Sequence, residues 1–157
     1  MTKRVERMGR WLDADEAFEA WMSADLSRML AARSVRTNPI DRHHLLQSIV
    51  KETYRQRKDP EMRRLCIETG MTHLKEFSTI CPALRADFSG RLPRVSSFAW
   101  LATVLAEEGR LDEAIRVCES AGLFGLEDGT KGGYVGRAKR LAKKNLLIIK
   151  APEVSGT

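Results

Sequence analysis

The run Asp128-Gly-Thr-Lys-Gly-Gly-Tyr-Val-Gly-Arg137 carries the densest set of residue types able to do chemistry in this 157-residue chain. Glycines let backbone amides turn toward an anion, and a helix N-terminus directly after them would add a positive end. Lys131 and Arg137 would supply charge. The order differs from a P-loop, which needs Gly, four residues, then Gly-Lys-Ser/Thr, and no strand is read before it. A flexible joint ahead of a last helix explains the same residues, so two readings stand.

Downstream, Arg137, Arg140 and Lys144 recur at spacings that share one helical face, with Lys139 and Lys143 in a second row. Lys131, Arg137, Arg140 and Lys144 are therefore the candidates for meeting an anion or nucleic acid, by contacts that weaken steeply with salt. An acidic protein partner fits these charges as well. So does a solvated helix end, where cations oppose the dipole. Tyr134 is the one aromatic nearby for stacking on a base.

Other chemistry is sparse. His43 and His44 are adjacent, so on a helix they point about 100° apart and cannot both grip one metal. No His-Glu-x-x-His or paired-cysteine spacing occurs. His73 falls on the apolar side of its helix, as a core histidine would. Cys66, Cys81 and Cys118 are odd in number and far apart, which suits small buried residues better than a disulfide set. No Gly-x-Ser-x-Gly is present. The chain is expected to hold no metal or cofactor and to catalyse nothing.

Length and composition fit one domain with its own core: 43 % of residues are hydrophobic. No run of about 18 apolar residues occurs, so no membrane span is expected. The first residues lack the apolar core of a signal peptide, and a cytoplasmic location is the default. The net charge of +6 is uneven, because no acid lies between Lys131 and Lys150. A basic end of this kind steers partners but does not set the fold.

The elements that must position these residues read as all-α, about six helices and no strand. The first runs from Asp13, as cap, to Arg33. The second starts with Asp41 as cap and ends near Arg57. The third opens at Asp59-Pro60-Glu61: a cap acceptor, a proline needing no amide partner, then an acid at the positive end. Gly70 inside it costs about 1 kcal/mol of helix propensity, which a close approach by another helix would offset. Pro82 is read as its end. Residues 82–94 form a connector. Helices follow over Ser96–Glu108, Leu111–Ala121 and about Gly132–Asn145. The domain spans 13–145, with an N-terminal extension over 1–12 and a C-terminal tail over 146–157. In that tail Leu146-Leu-Ile-Ile149 must dock somewhere.

One segment has a pattern of its own. Phe98, Leu101, Ala102, Leu105, Gly109, Leu111, Ala114, Cys118 and Ala121 place large and small residues where two short helices fold back on each other. The segment resembles a tetratricopeptide repeat. It departs from that family in having leucine and cysteine where aromatics are common, and Leu126 where proline is common. A weaker match runs through Leu46, Ile49, Val50, Tyr54, Lys58-Asp-Pro60, Leu65, Cys66 and Thr69. The two hairpins lie roughly 50 residues apart, against about 34 in the family. An irregular helical bundle with one look-alike hairpin is the rival architecture. The resemblance implies a short array of stacked hairpins closed by a C-terminal capping helix. It also implies a concave face lined by Ser96, Ala99, Thr103, Ala106 and Glu107. Those small positions could take a peptide or helix. The function expected is a helical-repeat adaptor for a protein partner, with an acidic segment as one candidate. The alternative is a nucleic-acid-associated protein using the basic last helix.

Overall fold

In a computed structural model, residues 3–150 are described. The N-terminal extension differs from expectation: Arg4–Arg7 (β1) and Arg10–Asp13 (β2) pair antiparallel, with Val5 opposite Leu12 and Glu6 opposite Trp11. The turn runs through Met8 and Gly9, both with positive φ, as a two-residue hairpin turn demands. Asp13 is thus the end of a strand and not a helix cap. Asp15 caps instead, accepting from the Phe18 amide, and α1 spans Glu16–Ser23.

The expected long first helix is broken. Ala24 adopts a left-handed conformation (φ 56°), and Asp25 then caps α2, Leu26–Ala31. A 3-10 turn over Ala32–Ser34 follows. Next, α3 covers Pro39–Arg55, one turn earlier than expected, because Asn38 and not Asp41 is its cap. The aspartate takes another task. Asp41, 1 % exposed, accepts from Arg7 Nη2 (3.0 Å), Trp21 Nε1 (3.1 Å) and Asn38 Nδ2 (2.6 Å). A buried charge needs such partners, and these tie the hairpin and α1 to the start of α3.

Helix α4 runs Pro60–Asp87, opening as expected with Asp59 accepting from the Glu61 and Met62 amides. It passes through Pro82. Both Pro82 and Ser78, four residues back, are exposed, so water can serve the carbonyl that proline frees. Then come α5, Ser97–Glu107, and α6, Leu111–Leu123. Between them Gly109 (φ 78°) donates to the Ala106 carbonyl and Arg110 donates to that of Leu105, the two hydrogen bonds of a Schellman cap. Last, α7 runs Gly133–Lys150. The fold is all-α apart from the hairpin, with seven α-helices among the described residues.

Helices α3 and α4 form one antiparallel hairpin, and α5 lies against both of them. α6 packs on α5, and α7 on α6. All eight non-glycine positions of the repeat-like pattern, Phe98 to Ala121, are buried. Phe77 meets Phe98 and Phe124 edge-on at 5.2 and 4.9 Å, joining α4 to α5 and to the residue that caps α6. A smaller core of Ala17, Ala20, Met29, Ala32, Leu45 and Ile49 fixes α1 and α2 to α3. α7 is held by Tyr134, by Ala138 and Leu141, and by Asn145, which donates to Asp112 at 2.8 Å. Past Asn145, Leu146, Leu147, Ile148 and Ile149 are 53 to 71 % exposed. No helix among the described residues is long and apolar enough to cross a membrane. The rest of the tail, 151–157, lies outside the described residues.

Gly70 makes the close approach expected of it: a Cβ there would lie 3.0 Å from Leu101 Cδ1 and 3.2 Å from Leu101 Cβ. Leu101 is fully buried and cannot swing aside. Gly70→Ala gains about 1 kcal/mol of helix propensity and loses about 1–3 kcal/mol to overpacking. We expect a net loss, read as a lower urea midpoint. An unchanged or higher midpoint would contradict this packing.

Candidate functional site

A shallow groove of about 220 Å³ opens where α5 passes the end of α3 and the start of α7. Ser96, Ala99 and Thr103 line it from α5, and Arg137 lines it from α7. Two of the residue sets picked from the sequence therefore meet in one place. Trp100 and Tyr54 complete the wall, their rings stacked at 5.7 Å with planes 26° apart. Both are half-buried. Gln47 of α3 accepts from the Ser96 amide at 3.2 Å and fixes the start of α5. The Thr103 hydroxyl donates to the Ala99 carbonyl at 2.8 Å, so its hydrogen is already taken.

The remaining candidates lie elsewhere. Ala106 is half-buried and packs against the core. Glu107 is exposed and accepts from Arg57 Nε at 2.7 Å. That guanidinium lies 4.0 Å from the Tyr54 ring centre, a cation–π contact. Lys131, Arg140 and Lys144 are exposed. Arg140 leans back along the first turn of α7, with Nη1 3.4 Å from where a Gly136 Cβ would be. Of the four basic candidates, Arg137 is the one that reaches the groove.

The glycine-rich loop folds around its own carboxylate. Asp128 has a fully buried side chain and accepts from the Thr130 amide (2.9 Å), the Thr130 hydroxyl (2.5 Å) and Arg137 Nε (2.8 Å). Burial pushes its pKa up, but the bonds from Thr130 and Arg137 outweigh it and bring the value to about 2. Gly129 has φ +81°, and a Cβ there would fall 1.7 Å from Arg94 Nη2. Glycine thus lets Arg94 lie over the loop and donate to the Asp128 carbonyl at 3.4 Å. An amide that could have cradled an anion is already in use, and the charge of Arg137 is matched.

No family model matches the chain, and neither a curated protein nor a solved structure does.

The aromatic partner that the sequence placed beside the basic stripe, Tyr134, is 2 % exposed with its hydroxyl 3.4 Å from the Val95 carbonyl. Tyr54 and Trp100 take its place at the groove. Trp100 was legible in principle: it is four residues after Ser96 and three before Thr103, on the same helical edge. Tyr54 comes from about 45 residues earlier in the chain, and no local pattern links the two.

Cys66, Cys81 and Cys118 are all buried free thiols. Burial raises Cys66 and takes Cys118 to about 11, so both stay protonated at neutral pH. Among the described residues no three His, Cys, Asp or Glu converge as a metal site. His43 Nδ1 and His73 Nε2 lie 2.9 Å apart, both rings buried. His73 packs 5.1 Å from Phe98, and its Nδ1 has no partner among the described residues. Burial, and then the neighbouring His44, takes the His43 pKa to about 3. Burial, and then His43, lowers His73 as well.

These histidines set a pH dependence. Unfolded, each titrates near 6.5, whereas folded each stays neutral well below that. The unfolded chain therefore binds more protons as pH falls below 6.5, and stability drops. We expect full stability above pH 6.5 and a decline toward pH 3. The slope approaches about 1.4 kcal/mol per pH unit for each histidine. Asp128 adds its own loss only between about 3.8 and 2. Urea midpoints at pH 7.5, 6 and 5 check this. His43→Leu should flatten the upper part of the curve, and a flat profile in the unaltered protein would contradict neutral buried imidazoles.

Proposed function

We propose that this chain is a non-catalytic, tetratricopeptide-like helical adaptor of the cytoplasm that holds an acidic protein segment in the groove along α5. The observation that carries the proposal is the half-exposed Tyr54–Trp100 stack, set among Ser96, Ala99 and Thr103, with Arg94 and the Arg137–Asp128 pair at one end. Aromatic anchors beside arginines are the residue types that dominate protein-binding sites. Small neighbours let a backbone come close to them. The order of packing, with α5 against both helices of the preceding hairpin and α7 closing on α6, supports a stacked array. Burial of the repeat-like positions supports it too.

Nucleic acid is the second reading, favoured by the acid-free stretch from Lys131 to Lys150 and the exposure of Lys131, Lys139, Arg140, Lys143 and Lys144. The two readings differ in which residues matter. Acidic twelve-residue peptides selected on the protein by display should bind the unaltered chain. Trp100→Ala should weaken them at least tenfold, about 1.4 kcal/mol or more, and Ala99→Arg should block them. Both variants should melt cooperatively. Charge reversal at Arg140 and Lys144 should leave peptide binding within about threefold. If it abolishes binding while Trp100→Ala does not, the groove is not the site. Single-stranded or duplex oligonucleotide that binds at about 50 mM salt and is lost on that reversal would favour the second reading.

A further inference from the structure

We propose that the pocket at the turn between α3 and α4 is a phosphate-monoester site, occupied by a phosphorylated side chain of the segment held in the groove. This deepens the adaptor reading and rests on it. The pocket encloses about 380 Å³ and is lined by Arg55, Arg57, Lys58, Arg63 and Glu107. Glu107 stands among the four cations, while Glu52 and Glu108 reach Arg55 and Arg63 from beside the pocket.

Each cation is held at a different strength. Arg57 pairs with Glu107 at 2.7 Å and covers the Tyr54 ring. Arg63 donates to the Arg57 carbonyl at 3.0 Å and stands 3.9 Å from Glu108. Arg55 reaches Glu52 at 3.2 Å on its own helix. Lys58 is exposed and makes no ion pair among the described residues.

A phosphate monoester brings about two negative charges and three acceptor oxygens, enough to engage Arg57 and the unpaired Lys58 together. It would displace Glu107 from Arg57. Arg57 covers the Tyr54 ring, which stacks on Trp100 of the groove, so pocket and groove are neighbours across Tyr54 and one bound segment would have to cross that ring to reach both. A nucleic acid strand fits less well. Its phosphates need cations along the whole path, whereas the stretch between the two charged ends is Ala99, Thr103 and Ala106.

The test uses the full chain and calorimetry, with NMR shifts as a second measure. The probes are inorganic phosphate, a groove-binding acidic peptide with serine or phosphoserine at one position, and an eight-nucleotide single-stranded RNA. Phosphate at about 10 mM should shift signals at Arg57 and Lys58, and the phosphoserine peptide should bind about tenfold tighter than the serine peptide. Lys58→Ala with Arg55→Ala should erase that preference without weakening the serine peptide. Glu107→Gln should free Arg57 and tighten the phosphopeptide severalfold while leaving the serine peptide unchanged. Equal affinity for the two peptides, silence toward phosphate, or RNA binding tighter than the phosphopeptide would each overturn the proposal. The serine peptide, lost on Trp100→Ala and kept on Lys58→Ala, reports on the groove separately, so the two readings fail in distinguishable ways.

Discussion

The contact of Leu101 with Gly70 is the constraint on which the rest of the molecule turns. Helices side by side ordinarily stand 8–10 Å apart, set by the side chains between them. At Gly70 nothing stands between, and the Leu101 side chain presses on the α4 backbone. That places α5 against both α3 and α4. With α5 there, Phe98 enters the ring cluster of His73 and Phe77, and Phe77 reaches across to Phe124 beyond α6. The opposite edge of the same helix then carries Ala99, Trp100 and Thr103 outward, with Trp100 against Tyr54. Core and groove are two sides of one eleven-residue helix. A change that shifts α5 by an ångström disturbs both.

The N-terminal half hangs on a different device. Asp41 is a buried carboxylate in the first turn of α3, where the helix dipole already favours negative charge. Arg7, Trp21 and Asn38 converge on it from the hairpin, α1 and the helix cap. The Met8 amide donates to Asp87 at 2.8 Å, so the hairpin turn also touches the end of α4. A two-stranded ribbon is marginal alone. Here it persists because its arginine completes a charge that would otherwise be buried unpaired, and because Val5 is buried beneath it.

What was legible in the sequence was local. Asp59-Pro60 fixes the start of α4 because cap and proline act within one turn. Gly109 fixes the bend between α5 and α6 for the same reason. Three features escaped, one decided by a partner distant along the chain and two by competition between local signals. The hairpin depends on Asp41, 34 residues from Arg7. The break at Ala24 depends on a competing cap at Asp25 inside an otherwise periodic stretch. The passage of α4 through Pro82 depends on which face is solvated, and the helix phase fixed by Phe77, Ile80 and Leu84 turns Pro82 outward. At the groove, Ser96, Ala99 and Thr103 were implied by the resemblance to a repeat hairpin, whereas Tyr54 needed the tertiary fold.

Charges that look alike in the sequence are not alike in space. Arg137 and Lys131 are both cations of the same glycine-rich run, yet Asp128 takes the first into a buried pair and leaves the second in water. Glu107 and Glu108 are neighbours, yet the first holds Arg57 at the pocket and the second is shared by Arg63 and Arg110. Exposed pairs of this kind contribute little to stability, so Glu107 can release Arg57 at small cost when a stronger anion arrives. Asp128 has no such freedom. Its carboxylate is fully buried and triply bonded, and withdrawing Arg137 would strand it. The α7 end of the groove therefore carries a fixed ion pair and the α3–α4 turn an exchangeable one, and the adaptor we propose would use that difference to give its segment a direction as well as a place.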